Sequence, residues 1–231
     1  ATPDTAQIAQ GRAWCAAGGR PVVMLASARE GEEAEFLAAL KRFMPPAPAA
    51  PAQAAPDLVA NNAAGSVQWL IVPRHPQRFD DVAALVQQHG LSVSRRSSWG
   101  QGAAPAVADV WLGDSMGEMA LYYGLGHVAL LGGSFAPLGG QNLIEAAACG
   151  CPIVTGPSVF NFQEAATLAQ QAGAAFPVAS MAQGVQLAVD LAQDGTRLAQ
   201  VRALAEHFAA AHRGAADRTA QAVQTLLSSP R

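Results

Sequence analysis

Val128-Ala129-Leu130-Leu131 runs directly into Gly132-Gly133-Ser134-Phe135-Ala136-Pro137-Leu138-Gly139-Gly140-Gln141-Asn142-Leu143-Ile144-Glu145, and this stretch decides the fold. An apolar run, a side-chain-poor loop and a helix-compatible segment ending at Gly150 read as strand, loop and helix. A buried strand that delivers the chain onto a helix N-terminus leaves backbone N–H groups unpaired and partly positive, which suits a phosphate. Glycine allows positive φ and close approach to the main chain. Asn142 and Glu145 stand at capping-box spacing, so the same residues also suit an ordinary tight turn.

Outward from this unit the pattern repeats. Apolar, β-branched runs at Pro21–Ala26, Val67–Val72, Val107–Leu112 and Pro152–Thr155 join Val128–Leu131 as short strands covered on both faces. Helix-length segments lie between and after them, at Glu30–Phe43, Arg78–His89, Ser115–Gly124, Asn142–Cys149 and Asn161–Ala172. Strands alternating with helices predict right-handed βαβ units, hence an α/β protein with a Rossmann-like, doubly wound parallel sheet. Thr5–Ala17 reads as an opening helix, and Ala-rich helices follow at Met181–Gln193 and Thr196–Leu227. Residues 1–20 read as a linker with that first helix, and residues 21–231 as one domain interrupted by a flexible Pro/Ala insertion at Pro45–Pro56.

The 231 residues are 51% hydrophobic and only 13% charged, with a formal net charge of −3. That supports a sizeable core and gives no electrostatic pull toward nucleic acid or an anionic membrane. Cys15, Cys149 and Cys151 are an odd set without a C-x-x-C pair, which points to a reducing compartment. No run reaches the roughly 18 apolar residues of a membrane span, and the N-terminus lacks signal-peptide layout, so the sequence reads as soluble.

Two further loops follow strand ends, where open α/β sheets bind ligands. Pro73-Arg74-His75-Pro76-Gln77-Arg78-Phe79 brings cations suited to phosphate or carboxylate, and also suited to surface ion pairs. Gly113-Asp114-Ser115-Met116-Gly117-Glu118 places a glycine in a first helical turn, where close packing or a ligand accounts for its cost. Four segments match a capping box or its Asn variant: Ser27-x-x-Glu30, Ser115-x-x-Glu118, Asn142-x-x-Glu145 and Asn161-x-x-Glu164. His89, His127, His207 and His212 lack metal-site spacing, and no D-x-D, P-loop or G-x-G-x-x-G motif is present.

Taken in order, Ser27-Ala28-Arg29-Glu30-Gly31-Glu32-Glu33, the Arg74-His75 loop, Gly113 to Glu118, Gly132 to Glu145, Gly156-Pro157 and Asn161-Phe162 resemble the C-terminal half of the 3-deoxy-D-manno-octulosonic acid (Kdo) transferases of lipid A biosynthesis. The resemblance runs from about Pro21 to Arg213. It implies one half of a GT-B glycosyltransferase, with the donor CMP-Kdo bound here and the lipid A precursor bound by an N-terminal domain. It also implies inverting, metal-independent transfer without a cofactor, and a carboxylate general base in that N-terminal half. The chain is accordingly expected to be an excised domain, inactive alone. Contact with the cytoplasmic face of the bacterial inner membrane is expected only of the longer protein.

Carried over by residue, Arg74 and His75 would meet the donor's charged groups, and Met116, Gly117 and Glu118 would line the nucleotide pocket. Gly133, Ser134, Gly139, Gly140 and Asn142 would hold the phosphate and Glu145 the ribose, with Ser27, Glu30 and Arg78 as further candidates. Arg29 and Gln141 stand where the family commonly has histidine, and neither carries a proton that titrates near neutral pH. A GT-B domain for a UDP-sugar, of the N-acetylglucosamine transferase or epimerase type, and a non-catalytic Rossmann-like module are the competing readings.

Overall fold

The computed structural model describes residues 2–44, 67–100 and 105–228, with side chains placed as far as His212 in the last helix. The Pro45–Pro56 stretch lies outside the described residues. Seven parallel strands form one sheet in the order β3-β4-β2-β1-β5-β6-β7. They are β1 (Val22–Ala28), β2 (Gln68–Pro73), β3 (Val93–Arg95), β4 (Val110–Leu112), β5 (Val128–Leu131), β6 (Ile153–Thr155) and β7 (Ala175–Pro177). The helices are α1 (Thr5–Gly18), α2 (Glu32–Leu40), α3 (Phe79–Gln88), α4 (Met119–Leu125), α5 (Leu143–Ala148), α6 (Gln163–Gln171), α7 (Met181–Gln193) and α8 (Gly195–Ser228). The Rossmann-like doubly wound sheet read from the sequence is therefore the observed architecture.

All seven residues of β1 are buried because the strand is central and covered on both faces. The strand period of two sends Val23 and Leu25 into one core, with Phe36, Trp69 and Val185, and Met24 and Ala26 into the other, with Tyr122, Leu125 and Phe208. Two strands are additional to those expected. β3 and β7 are three residues each and lie at the sheet edges, too short for either to show periodicity. Val107, the expected start of the Val107–Leu112 strand, is 85% exposed, and β4 starts only at Val110.

Helix α1 reaches the sheet by lying on α4. A Cβ on Gly11 would stand 2.3 Å from the Leu121 carbonyl oxygen, and one on Gly124 would stand 2.6 Å from that of Ile8. Only two glycines allow the backbones this close. The β1–β5 junction is equally tight, since a Cβ on Gly132 would meet the Ser27 carbonyl oxygen at 2.3 Å. Ser27, with φ of 54°, is the only non-glycine among the described residues in the left-handed region.

After β4 the chain crosses back over β2 and β1 to enter the sheet as β5, so the winding direction reverses between β1 and β5. A crevice opens there at the C-terminal ends of the strands, where ligands bind in doubly wound sheets. The loops after β1, β2, β4, β5 and β6 all lie along this edge.

Candidate functional site

The Gly-rich loop after β5 is held by its own chain more completely than its sequence suggests. Glu32, 2% exposed, accepts the N–H groups of Arg29 (2.9 Å) and Gly133 (2.8 Å) on Oε2, and those of Phe135 (3.0 Å) and Ala136 (3.1 Å) on Oε1. Ser134, fully buried, donates its hydroxyl to the Leu131 carbonyl at 2.5 Å and accepts from the Gly156 N–H at 2.8 Å. Gly139 N–H donates to Ser158 Oγ (2.9 Å) and Gly140 N–H to the Gly133 carbonyl (2.8 Å).

These bonds correct the expected phosphate contacts. Gly133 and Ser134 have no polar group left to offer a ligand, and Gly139 and Gly140 supply shape rather than donors. The next N–H groups, of Gln141, Asn142 and Leu143, have no acceptor among the described residues. They stand at the start of α5, where Asn142 Oδ1 caps by accepting from Ile144 N–H at 3.1 Å. Glu145 is exposed on the same turn. An anion is best received here, at Gln141 to Leu143, rather than deeper in the loop.

Only the N-cap half of the Asn142/Glu145 box is formed, and the helices expected at the other three boxes carry no side-chain cap. Ser27 is inside β1, and α2 starts after Gly31. The Ser115 hydroxyl bonds Glu118 and Tyr122. Asn161 sends its amide to the Leu138 carbonyl at 3.0 Å, tying the β6 loop to the Gly-rich loop.

Among the arginines of this edge, those with carboxylate partners separate from those without. Arg78 reaches Glu33 at 3.3 Å and Glu30 at 3.6 Å. Arg95 bonds Asp114 at 2.7 Å, and Arg96 bonds Glu118 at 2.8 Å. Burial pushes the Asp114 carboxyl up, but the two bonds from Ser97 and the Arg95 contact outweigh it and hold Asp114 below its ordinary value. Arg29 and Arg74 have no carboxylate partner among the described residues, and Arg74 and His75 are exposed. Arg29 and Gln141 meet over Gly133, lying 3.6 and 3.3 Å from where its Cβ would be. Ser27, Glu30 and Arg78 leave the site: Ser27 is buried, Arg78 is engaged by Glu33, and Glu30 turns to Arg78.

Gly117, Asn142 and Glu145 share one cleft of about 600 Å³ with Met119 and Ile144. Met116 beside it is 66% exposed. Asp4 and Gln7 of the α1 start and His212 of α8 also line it. No sequence signal marks those three, because only the docking of α1 and α8 brings them there. A second cleft, of about 660 Å³, opens at the opposite edge around Arg12, His127, Leu198 and Arg202, away from the C-terminal ends of the strands. Among the described residues no three His, Cys, Asp or Glu side chains converge as metal ligands would, and no helix is long and apolar enough to cross a membrane.

The chain is 43% identical over 222 residues to the 3-deoxy-D-manno-octulosonic acid transferase of Bordetella pertussis, covering 96% of this chain and 48% of that protein. The crystal structure of the C-terminal CMP-Kdo binding domain of WaaA from Acinetobacter baumannii superposes with a TM-score of 0.70 at 30% identity, covering 89% of this chain and 98% of that one. The chain belongs to the 3-deoxy-D-manno-octulosonic acid transferase family. It spans about half the length of the Bordetella relative. The transferase of Haemophilus influenzae is 38% identical over 121 residues, which is 52% of this chain and 28% of that protein. Anabaena Alr3699/HepE in complex with UDP shares the fold, with a TM-score of 0.61 at 16% identity over 98% of this chain and 54% of that one. No family model matches. The Kdo transferase relationship fits the sheet seen here, one Rossmann-like half of a GT-B glycosyltransferase.

Proposed function

We propose that this chain binds CMP-Kdo and forms the donor half of a GT-B glycosyltransferase that hands Kdo to a lipid A precursor in lipopolysaccharide biosynthesis. The likeness to the CMP-Kdo binding domain of WaaA, at 30% identity over 98% of that chain, carries this reading. The site supports it chemically. CMP-Kdo has one phosphate and one sugar carboxylate, and this edge offers Arg29 and Arg74, two arginines without a carboxylate partner among the described residues, beside the N–H groups of Gln141, Asn142 and Leu143. Met116 and Gly117 would flank the base, and Glu145 would accept from the ribose hydroxyls.

On this reading the bond from the Kdo anomeric carbon to the phosphate oxygen breaks, and CMP leaves with added negative charge on that phosphate. Fixed N–H dipoles and guanidinium groups aimed at the oxygen stabilise the charge as it develops, without a bound metal or cofactor. The acceptor and the general base belong to the remainder of the longer protein, as does any contact with the membrane.

Titration of CMP, UDP and CMP-Kdo into the 15N-labelled chain tests the reading. CMP should shift amides near Arg74, Met116 and Gln141 to Leu143. Tighter binding of UDP would favour the UDP-sugar alternative. No binding of any nucleotide at millimolar concentration to the folded chain would leave a non-catalytic module.

A further inference from the structure

Glu32 is an internal anion in the place where a doubly wound sheet commonly receives a ligand's phosphate. Its carboxylate lies at the β1–β5 switch point and accepts four backbone N–H groups, one from the loop after β1 and three from the loop after β5. No cationic side chain lies within ion-pair reach of it among the described residues. Main-chain dipoles alone hold the charge, as a nest of N–H groups holds a phosphate.

This inner nest backs directly on the outer turn. Gly133 donates its N–H to Glu32 and accepts Gly140 N–H on its carbonyl, so one residue separates the occupied nest from the turn that leads to Gln141, Asn142 and Leu143. The loop therefore has two anion positions in series, the inner one filled by the chain and the outer one open. We propose that Glu32 determines donor specificity by standing in for a second phosphate, so that the site accepts a nucleoside monophosphate leaving group and rejects a diphosphate. The inference rests on the nucleotide-donor reading above and goes one step beyond it. A diphosphate placed with its first phosphate at Gln141–Leu143 would drive its second toward a site already charged and already filled.

The test compares CMP and CDP binding by calorimetry in the 231-residue chain, Glu32→Ala and Glu32→Gln. The parent chain should favour CMP by about tenfold or more, the scale of one unfavourable charge contact. Glu32→Ala should bring the two affinities to within about threefold, mainly by improving CDP. Glu32→Gln, which keeps the shape and loses the charge, should move the ratio the same way. An unchanged ratio in a folded variant overturns the proposal.

Inorganic phosphate supplies a second readout. Phosphate should raise the melting temperature of Glu32→Ala more than that of the parent chain, because it refills the vacated nest. If Glu32→Ala folds only when refolded with phosphate, the nest is equally supported. An equal rise in both proteins, or no recovery with phosphate, overturns it. A parent chain that binds neither CMP nor CDP would sink the nucleotide-donor reading, while the phosphate comparison would still decide what Glu32 does.

Discussion

Replacing Arg78 by alanine strands Glu33, and the cost should depend on pH in a way that a packing defect would not. The Glu33 side chain is fully buried and its charged partner is Arg78 at 3.3 Å, itself 24% exposed. At an effective dielectric of about 20, a pair at 3.3 Å is worth about 5 kcal/mol before solvent and side-chain entropy reduce it. The loss has a ceiling, because the stranded carboxyl can take up a proton. Starting from an unfolded pKa of about 4.3, protonation at pH 7 costs about 3.7 kcal/mol, and at pH 5 only about 1 kcal/mol.

Burial already holds Glu33 above its ordinary value in the intact chain, so part of that penalty is present before the substitution. Its folded pKa is raised, so the folded state binds the extra proton and stability falls as pH rises from the unfolded value through the folded one. Arg78→Ala should therefore cost about 2–3 kcal/mol at pH 7 and less than about 1 kcal/mol of charge energy at pH 5. Loss of the arginine stem adds a small constant. Urea unfolding of the parent, Arg78→Ala and Arg78→Ala/Glu33→Gln at pH 5, 6, 7 and 8 measures the slope. A loss of equal size at every pH, or one that persists in the double variant, would refute the pairing.

Gly11→Leu should destabilise by more than about 3 kcal/mol by thermal or urea unfolding, since its side chain would enter the Leu121–Leu125 backbone of α4. Because α1 and its N-cap place Gln7 and Asp4 in the cleft with Asn142 and Glu145, the same variant should also weaken CMP binding on the proposed reading. His127 is held down to about 4 by burial, with the nearby Arg202 adding to the effect, while its Nδ1 accepts the Val22 N–H at 3.0 Å. Its folded pKa is depressed, so its contribution is complete above the unfolded value of about 6.5 and fades as pH falls toward 4, by up to about 3 kcal/mol. His127→Asn, which can retain the acceptor without the titrating ring, should flatten that part of the stability profile. Arg74→Ala should weaken CMP-Kdo binding by roughly tenfold in calorimetry while leaving the melting temperature within a degree or two, because its exposed side chain has no carboxylate partner among the described residues to lose.

Much of the fold was legible because β1, β2 and β5 are central strands whose continuous apolar runs are a local property of sequence. Edge strands β3 and β7 were not legible, being defined by pairing with β4 and β6 rather than by any run of their own. Capping boxes were over-read for a related reason. Ser27, Ser115 and Asn161 have the right spacing, yet Ser27 is taken into β1, the Ser115 hydroxyl bonds Glu118 and Tyr122, the Asn161 amide goes to the Leu138 carbonyl, and the helices start one or more residues later.

The alternation of strand and helix, the glycines that permit the β1–β5 and α1–α4 contacts, and the loops that reach the ligand edge are local properties readable along the chain. Only the tertiary structure decided which groups in those loops are free. Glu32 is an unremarkable residue for a first helical turn until Gly133, Phe135 and Ala136, about a hundred positions later, point their N–H groups at it. Arg78 reaches a buried carboxylate, whereas Arg29 and Arg74 have no carboxylate partner among the described residues. Hydrogen-bond saturation and charge pairing are sums over spatial neighbours, and a strand-loop-helix pattern read along the chain contains just the local part of those sums.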